Sequence, residues 1–260
     1  MTGDDILGGV GGTLHYLAGS PPCQDLSRAG RGDLGGENMA RYYEAVRLVG
    51  ETLPWAFAFE NVAALVEDPA YDRHFVPIRD RLVGYGYRVA VRVLPVWRYG
   101  VPQSRKRAIV IGIRRDLGPR ARDAFPPLGP ACAIRDVLPD VELLVRLGRP
   151  VRNLRHYRFR AEDLVWLGTE PGPTLTTGGF SIYGQSAFRL VTNSGEWRRV
   201  TVEDAMALSG VPLGFRFPEG TSVAAMWRML GNGWPTPAEA AVGRSVAAAL
   251  ARSGQLISAA

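Results

Sequence analysis

The stretch Pro21-Pro22-Cys23-Gln24-Asp25-Leu26-Ser27-Arg28-Ala29-Gly30 places a cysteine in a proline-rich loop that ends in glycine. It directly follows an apolar run at residues 14–19, which predicts a short buried strand leading into the loop. A thiol held on a loop at a strand end is well placed to act as a nucleophile. This arrangement is typical of α/β proteins, whose functional loops lie at the ends of strands.

Apolar patterns on either side of this stretch alternate between strands and helices. Strands are predicted at residues 55–59, 87–94 and 108–113, and helical spacing occurs at 39–53, 74–82, 201–209 and 238–251. The alternation predicts an open α/β sheet. From Asp116 onward prolines interrupt the pattern, so we expect three parts: 1–116 and 198–260 in an α/β domain, and 117–197 in a small irregular domain.

Positive charge is concentrated in one part of the chain. The net charge is +6, and residues 98–160 hold fifteen Lys or Arg against five Asp or Glu. Such a block favours phosphate binding, with an ordinary solvated basic face as the alternative.

Other features of the composition exclude several classes of protein. The two cysteines, Cys23 and Cys132, do not make a disulfide framework, and no Cys or His pair has metal-ligand spacing, so no metal is expected. The sequence contains no apolar stretch long enough for a membrane span and no signal peptide. We therefore expect a cytoplasmic protein.

Two later segments accompany the Cys23 loop: Phe59-Glu60-Asn61-Val62 and Val101-Pro102-Gln103-Ser104-Arg105-Lys106-Arg107. In this order and at these separations, the three segments resemble the DNA cytosine-5 methyltransferase family. Further matches are Arg198 with Thr201, the threonine-rich stretch 173–179, and Gly231-Asn232 before the last helix. The resemblance covers nearly the whole chain. It implies a Rossmann-like, S-adenosylmethionine-dependent methyltransferase sheet with a target-recognition region.

The N-terminal sequence departs from the family pattern. Members begin with a strand, a Phe-x-Gly-x-Gly turn and an acidic residue that bind S-adenosylmethionine, and these elements are not found here. The expectation is therefore an N-terminally truncated sheet: either a second polypeptide supplies the missing segment, or the true start lies upstream, or the chain is a shortened remnant. The run Gly8-Gly9-Val10-Gly11-Gly12 is interpreted as a flexible turn, with a cofactor loop as the alternative.

The resemblance implies a role for each matching residue in methyl transfer to cytosine C5. Cys23 would add to C6 and turn C5 into a nucleophilic carbon, and Glu60, at the end of an apolar strand, would donate a proton toward N3. Asn61 would orient Glu60 or nearby backbone, Arg105 would help bind the target base, and Arg107 would brace the active-site loop. The residues implied in cofactor binding are Asp4, Asp5, Ile6, Pro22 and Asn232. Those implied in substrate binding are Gln24, Ser27, Gln103, Thr174, Thr176 and Gly178.

The implied substrate is duplex DNA, from which the target base must be flipped out of the stack. The resemblance thus implies DNA methylation of the restriction-modification kind. Two alternatives remain open at this point: a catalytically inactive DNA-binding remnant, and a tRNA cytosine-5 methyltransferase with the same chemistry. Trp234 stands where the family has a small or apolar residue, which predicts an altered cofactor pocket.

Overall fold

The structure is a computed structural model that describes residues 1–21, 37–148, 157–176 and 188–252. Its α-helices are α1 (Gly3–Gly9), α2 (Glu37–Thr52), α3 (Ala64–Glu67), α4 (Asp72–Gly84), α5 (Ile134–Val137), α6 (Val202–Leu208), α7 (Val223–Asn232) and α8 (Thr236–Ala251). Its strands are β1 (Tyr16–Gly19), β2 (Ala56–Val62), β3 (Tyr87–Pro95), β4 (Lys106–Arg114), β5 (Val141–Arg146), β6 (Leu164–Leu167), β7 (Phe188–Thr192) and β8 (Trp197–Arg199). Short 3-10 helices lie at Pro69–Tyr71, Val96–Tyr99, Arg115–Leu117 and Ala121–Ala124.

The described residues divide into two compact units. The first unit comprises Met1–Leu94, Lys106–Pro127 and the chain from Ala241 onward, and the second comprises Pro95–Arg105 and Leu128–Ala240. Each unit contains one four-stranded sheet.

The sheet of the first unit has the order β1-β2-β4-β3. β1 runs parallel to β2, with Gly19 opposite Phe59, and β2 runs antiparallel to β4. The predicted α/β class is confirmed, and the predicted strands at 55–59, 87–94 and 108–113 correspond to β2, β3 and β4. β2 is longer than expected and extends to Val62, so Glu60 and Asn61 are strand residues.

Helices α2 and α4 bury their apolar faces against β2. Tyr42, Val46 and Val49 of α2 share one helical face because their spacing is three to four residues, and they pack with Phe57 and Phe59 of β2. Ile78, Leu82 and Phe75 of α4 complete this core. Burial of each such side chain contributes about 1.5–3 kcal/mol, so this cluster holds β2 firmly in place.

Gly112 in β4 makes room for an aromatic side chain of the neighbouring strand. It lies opposite Phe57 in the β2–β4 pair. A Cβ atom added at Gly112 would lie 2.1 Å from a ring carbon of Phe57. The lack of a side chain at this position therefore allows the Phe57 ring to lie across β4.

The sheet of the second unit has the order β6-β5-β7-β8 and is antiparallel throughout. Its core includes Leu144 of β5, Leu190 of β7 and Leu230 of α7. This part of the chain is more regular than its proline-punctuated sequence indicates. The strands are short, and β5 pairs with β7 across more than forty intervening positions, so little local patterning announces them.

Arg198 and Thr201, which form one of the sequence matches, both bind Asp204 at the start of α6. Thr201 caps the helix, with its hydroxyl accepting from the Asp204 N–H and its own N–H donating to the Asp204 carboxylate at 2.8 Å. Arg198 donates to both oxygens of the same carboxylate, at 2.6 and 3.1 Å. The two residues therefore stabilise one helix terminus.

Candidate functional site

Glu60 lies near the end of β2, on a face of the sheet where two other polar side chains reach it. It is only 3% exposed. The Ser20 hydroxyl donates a hydrogen bond of 2.5 Å to Glu60 Oε2. The carboxyl is therefore buried but has polar partners.

Arg107 approaches the other oxygen of Glu60. It lies opposite Val62 in the β2–β4 register, while Glu60 lies opposite Ile109, so Arg107 and Glu60 are diagonal neighbours on the same face. Arg107 Nε lies 2.5 Å from Glu60 Oε1 without an aligned hydrogen bond, so the contact is an ion pair. Both carboxyl oxygens therefore have a partner.

Asn61 is buried and links the end of β2 to Pro21. Its side-chain Nδ2 donates to the Pro21 carbonyl at 3.4 Å, and its Oδ1 accepts from the Val62 N–H at 2.8 Å. Asn61 therefore binds backbone at Pro21 and at Val62, and its role in orienting backbone or Glu60 stays a prediction.

Tyr42 of α2 is a second ionisable group in the surroundings of Glu60. Burial, together with the negative charge of Glu60, raises the pKa of Tyr42. Its hydroxyl is fully buried and has no hydrogen-bond partner within the part of the chain that the structure describes. Tyr42 therefore remains neutral and contributes ring packing, including an edge contact with Phe59 at 6.1 Å.

In the second unit, Gln103 is 2% exposed, and both ends of its amide bind backbone. Nε2 donates to the Leu208 carbonyl at 2.8 Å, and Oε1 accepts from the Leu175 N–H at 2.8 Å. Gln103 therefore ties the threonine-rich stretch to the end of α6. These contacts hold backbone in place, and the substrate-binding role that the resemblance implies for Gln103 stays a prediction.

Arg105, also 2% exposed, precedes β4, which begins at Lys106. Its guanidinium donates to three carbonyls: Leu175 at 3.2 Å, Gly231 at 2.9 Å and Gly233 at 2.9 Å. Arg105 and Arg107 thus have different partners.

Thr174 and Thr176 flank Leu175, whose backbone hydrogen-bonds to Gln103 and Arg105. Leu175 is buried in the core of the second unit, while Thr174 is half-buried and Thr176 is exposed. The arrangement presents both threonines away from that core.

The predicted cofactor residues at the N-terminus lie in α1, which begins after its cap, Thr2. Asp5 accepts from the Thr2 N–H at 2.7 Å, and this hydrogen bond, followed by that of the Thr2 hydroxyl, lowers the pKa of Asp5. Its carboxylate is thus committed to the helix cap. Asp4 is exposed and Ile6 half-buried, so both remain accessible.

Asn232 is the last residue of α7 and is exposed. Nearby, Trp234 lines a mainly apolar cavity of about 210 Å³ together with Phe215, Phe217 and Met229. The bulky residue at position 234 therefore forms part of a cavity wall in the second unit.

Several predicted site residues lie outside the described residues: Pro22, Cys23, Gln24, Ser27 and Gly178. Cys132, the other cysteine, is buried. Burial, followed by the charge of Asp136, raises the pKa of the Cys132 thiol to about 11. It is therefore a poor nucleophile near neutral pH.

The structure adds one residue that the sequence analysis missed, Ser20. Serine in a loop is too common to attract attention. The signal that could have found Ser20 is its position directly after β1. Because β1 and β2 are parallel and Gly19 lies opposite Phe59, Ser20 lies beside Glu60.

Two negative findings apply to the described ranges 1–21, 37–148, 157–176 and 188–252. They contain no cluster of three or more His, Cys, Asp or Glu that could bind a metal ion. No helix within them has both the length and the apolar character needed to cross a bilayer.

Curated relatives of this chain are type II methyltransferases. M.MthTI of Methanothermobacter thermautotrophicus is 35% identical over 185 residues, which cover 68% of this chain and 48% of the relative. M.NmeDI of Neisseria meningitidis serogroup C is 23% identical over 265 residues, covering 86% of this chain and 61% of the relative. The chain thus spans about half the length of M.MthTI and less than two thirds of M.NmeDI.

Solved structures share the fold at low sequence identity. The Entamoeba histolytica methyltransferase EhMeth matches with a TM-score of 0.64 and 13% identity, covering 95% of this chain and 80% of that one. The Schizosaccharomyces pombe Dnmt2 methyltransferase matches with a TM-score of 0.62 and 16% identity, covering 95% and 81%. The family model for C-5 cytosine-specific DNA methylase matches residues 11–143, slightly more than half of the 260 residues. The chain belongs to the C-5 cytosine-specific DNA methylase family.

Proposed function

We propose that this chain transfers a methyl group from S-adenosylmethionine to C5 of cytosine in DNA. The observation that carries the proposal is the buried Glu60 carboxyl, held by Ser20 on one oxygen and by Arg107 on the other. Ser20 lies three residues before Cys23, so the carboxyl is tied to the chain that leads into the nucleophile loop.

In the proposed reaction, the Cys23 thiolate forms a bond to C6 of the flipped cytosine. The electron pair displaced from the C5–C6 bond makes C5 nucleophilic, which an aromatic, electron-poor ring otherwise is not. After C5 has been methylated, loss of the C5 proton and of the Cys23 thiolate restores the double bond.

Glu60 would bring a proton to N3 of the base and donate it there, which neutralises the negative charge that thiolate addition places on N3. Glu60 would take this proton back when the thiolate leaves. Arg107 would hold the Glu60 carboxyl in place and supply a positive charge next to O2, the carbonyl oxygen of the base. Gln103 and Arg105 would act at a distance, because their polar atoms bind the backbone of Leu175, Leu208, Gly231 and Gly233.

S-adenosylmethionine would supply the methyl group that C5 takes up. The side chains of α1 fit part of this molecule: Asp4 offers an exposed acceptor for an amino or hydroxyl group, and Ile6 offers apolar contact. Asp5 fits less well because its carboxylate caps α1. We propose that Asp4 and Ile6 contribute to binding S-adenosylmethionine, and the resemblance implies the same role for Pro22 and Asn232.

We propose that DNA phosphates bind the basic part of the chain, within the expected recognition region at 117–197. Arg158 and Arg160 are exposed there, and Arg160 stacks over the Tyr157 ring at 5.3 Å. Tyr157 in turn contacts Trp197 at 5.5 Å. An exposed guanidinium group stacked on an aromatic ring, as at Arg160, is well suited to phosphate and base contacts.

The proposal is tested with the purified chain, duplex DNA and radiolabelled S-adenosylmethionine, with Cys23→Ala as the matched control. We expect label at cytosine C5 with the unchanged chain and none with the variant. Label that persists in the variant would contradict the covalent mechanism. Label in tRNA but not in DNA would favour the tRNA methyltransferase instead, and DNA binding without label in either substrate would favour the binding-only remnant.

A further inference from the structure

We infer that Ser20 is a positioning residue that fixes the orientation of the Glu60 carboxyl. The inference rests on the proposed function, since it assigns Ser20 a part in the same reaction. It adds a residue that none of the family motifs quoted above contains.

Backbone register places Ser20 beside Glu60. β1 and β2 are parallel, and Gly19 is the Cα partner of Phe59. The residues that follow these two, Ser20 and Glu60, therefore lie side by side. The Ser20 hydroxyl then reaches Glu60 Oε2 at 2.5 Å with only one side-chain torsion to fix. Because that position is set by strand pairing, the hydroxyl is a preorganised donor.

Ser20 restricts a motion that Arg107 alone leaves open. The terminal torsion of a glutamate is broad, so an ion pair to Oε1 does not fix the plane of the carboxyl. A second donor on Oε2 fixes that plane. The carboxyl can then meet the flat edge of a base in one orientation.

A neighbouring contact joins the same two segments. Asn61 donates to the Pro21 carbonyl, so successive residues of β2 bind successive residues of the chain that leads to Cys23. The orientation of Glu60 and the start of the cysteine loop are therefore coupled.

The test compares Ser20→Ala with Ser20→Thr in the methylation assay. Alanine removes the hydroxyl, whereas threonine keeps it, and Ser20 is exposed, which leaves room for the added methyl group. We expect Ser20→Ala to lower kcat about tenfold with an unchanged KM for DNA, as for the loss of one hydrogen bond to a charged group, and Ser20→Thr to restore kcat. An unchanged kcat in Ser20→Ala, or equal losses in both variants, would overturn the inference.

A second measurement separates this inference from the proposed function. The melting temperature is measured for the unchanged chain, Ser20→Ala, Glu60→Ala and the double variant. We expect Ser20→Ala to lower Tm by about 4 °C when Glu60 is present and to have little effect when it is absent. If the unchanged chain methylates nothing, the proposed function fails, and this cycle alone decides on Ser20. Equal Tm losses in both backgrounds would overturn the inference.

Discussion

Glu60 and Arg107 are diagonal neighbours on the antiparallel strands β2 and β4, with Arg107 Nε 2.5 Å from Glu60 Oε1. The carboxylate is almost fully buried, and the arginine side chain is 13% exposed. An ion pair in such surroundings depends on both members, because either charge left alone in the protein interior is poorly solvated.

Replacing Arg107 by alanine should therefore destabilise the first unit. We expect a loss of about 3 kcal/mol in the free energy of unfolding, measured by urea denaturation, because Glu60 would lose its cation. Arg107→Lys keeps the charge and should recover part of the loss. Lys106→Ala, at the exposed neighbouring position, serves as the control and should be near neutral. An Arg107→Ala variant as stable as the unchanged chain would contradict this account.

Replacing Arg105 by lysine tests whether Arg105 holds the second unit together. A lysine ammonium cannot reproduce the planar fork that reaches the carbonyls of Leu175, Gly231 and Gly233. We expect a loss of about 2 kcal/mol in the free energy of unfolding. Lys106→Arg is the matched control, since it makes the reverse change at the next, exposed position. If Arg105 only bound the target base, Arg105→Lys would leave stability unchanged and lower activity alone.

Sequence patterns predicted the elements whose apolar side chains are contiguous. β2, β3, β4, α2, α4 and α8 all fall within a few residues of the predicted ranges, because runs such as Ala56-Phe57-Ala58-Phe59 and the Tyr42, Val46, Val49 spacing are local signals. The sheet β6-β5-β7-β8 was not predicted, since its strands are short and its pairing is long-range.

In the candidate site, too, the local motifs were predicted and the long-range contacts were not. Motif resemblance pointed to Glu60, Asn61, Gln103 and the two arginines without revealing which partners they bind. The hydrogen bonds from Gln103 to Leu208 and from Arg105 to Gly231 span more than one hundred residues, and no local pattern encodes them. Likewise, the motif did not reveal that Asp5, three residues after Thr2, is the partner in a capping box.

Replacing Arg158 and Arg160 by alanine should weaken DNA binding in a salt-dependent manner. Each lost phosphate contact should reduce the slope of log affinity against log salt by about 1. The measurement is fluorescence anisotropy of labelled duplex DNA at a series of salt concentrations. Arg79→Ala is the control, because Arg79 is exposed on α4 and pairs with Asp80. An unchanged slope in the double variant would exclude these two residues from phosphate binding.

Cys132 should resist alkylation in the folded protein near neutral pH. Because burial raises the pKa of its thiol to about 11, the thiolate fraction at pH 8 is about one part in a thousand, and it increases as the pH rises toward that value. In Cys23→Ala, Cys132 is the single cysteine. Mass spectrometry after iodoacetamide treatment should therefore detect little modification of this variant at pH 8 and much more at higher pH. Urea-unfolded protein should react rapidly, and rapid reaction of the folded variant at pH 7 would contradict the burial of Cys132.

Adding a methyl group at Gly112 should destabilise the protein through β2, the strand that carries Glu60. The new Cβ would overlap the Phe57 ring, and Phe57 is fixed by the core around Phe59 and Tyr87. Overpacking of this kind costs about 1–3 kcal/mol, so Gly112→Ala should lower the urea midpoint clearly.

Gly84→Ala is the control: Gly84 ends α4, and a Cβ there meets nothing within 4 Å. We expect that variant to be neutral or slightly more stable, since alanine favours the helix. Because Phe57 and Glu60 lie on the same strand, Gly112→Ala should also lower kcat more than Gly84→Ala does, and equal behaviour of the two variants would contradict the predicted close contact.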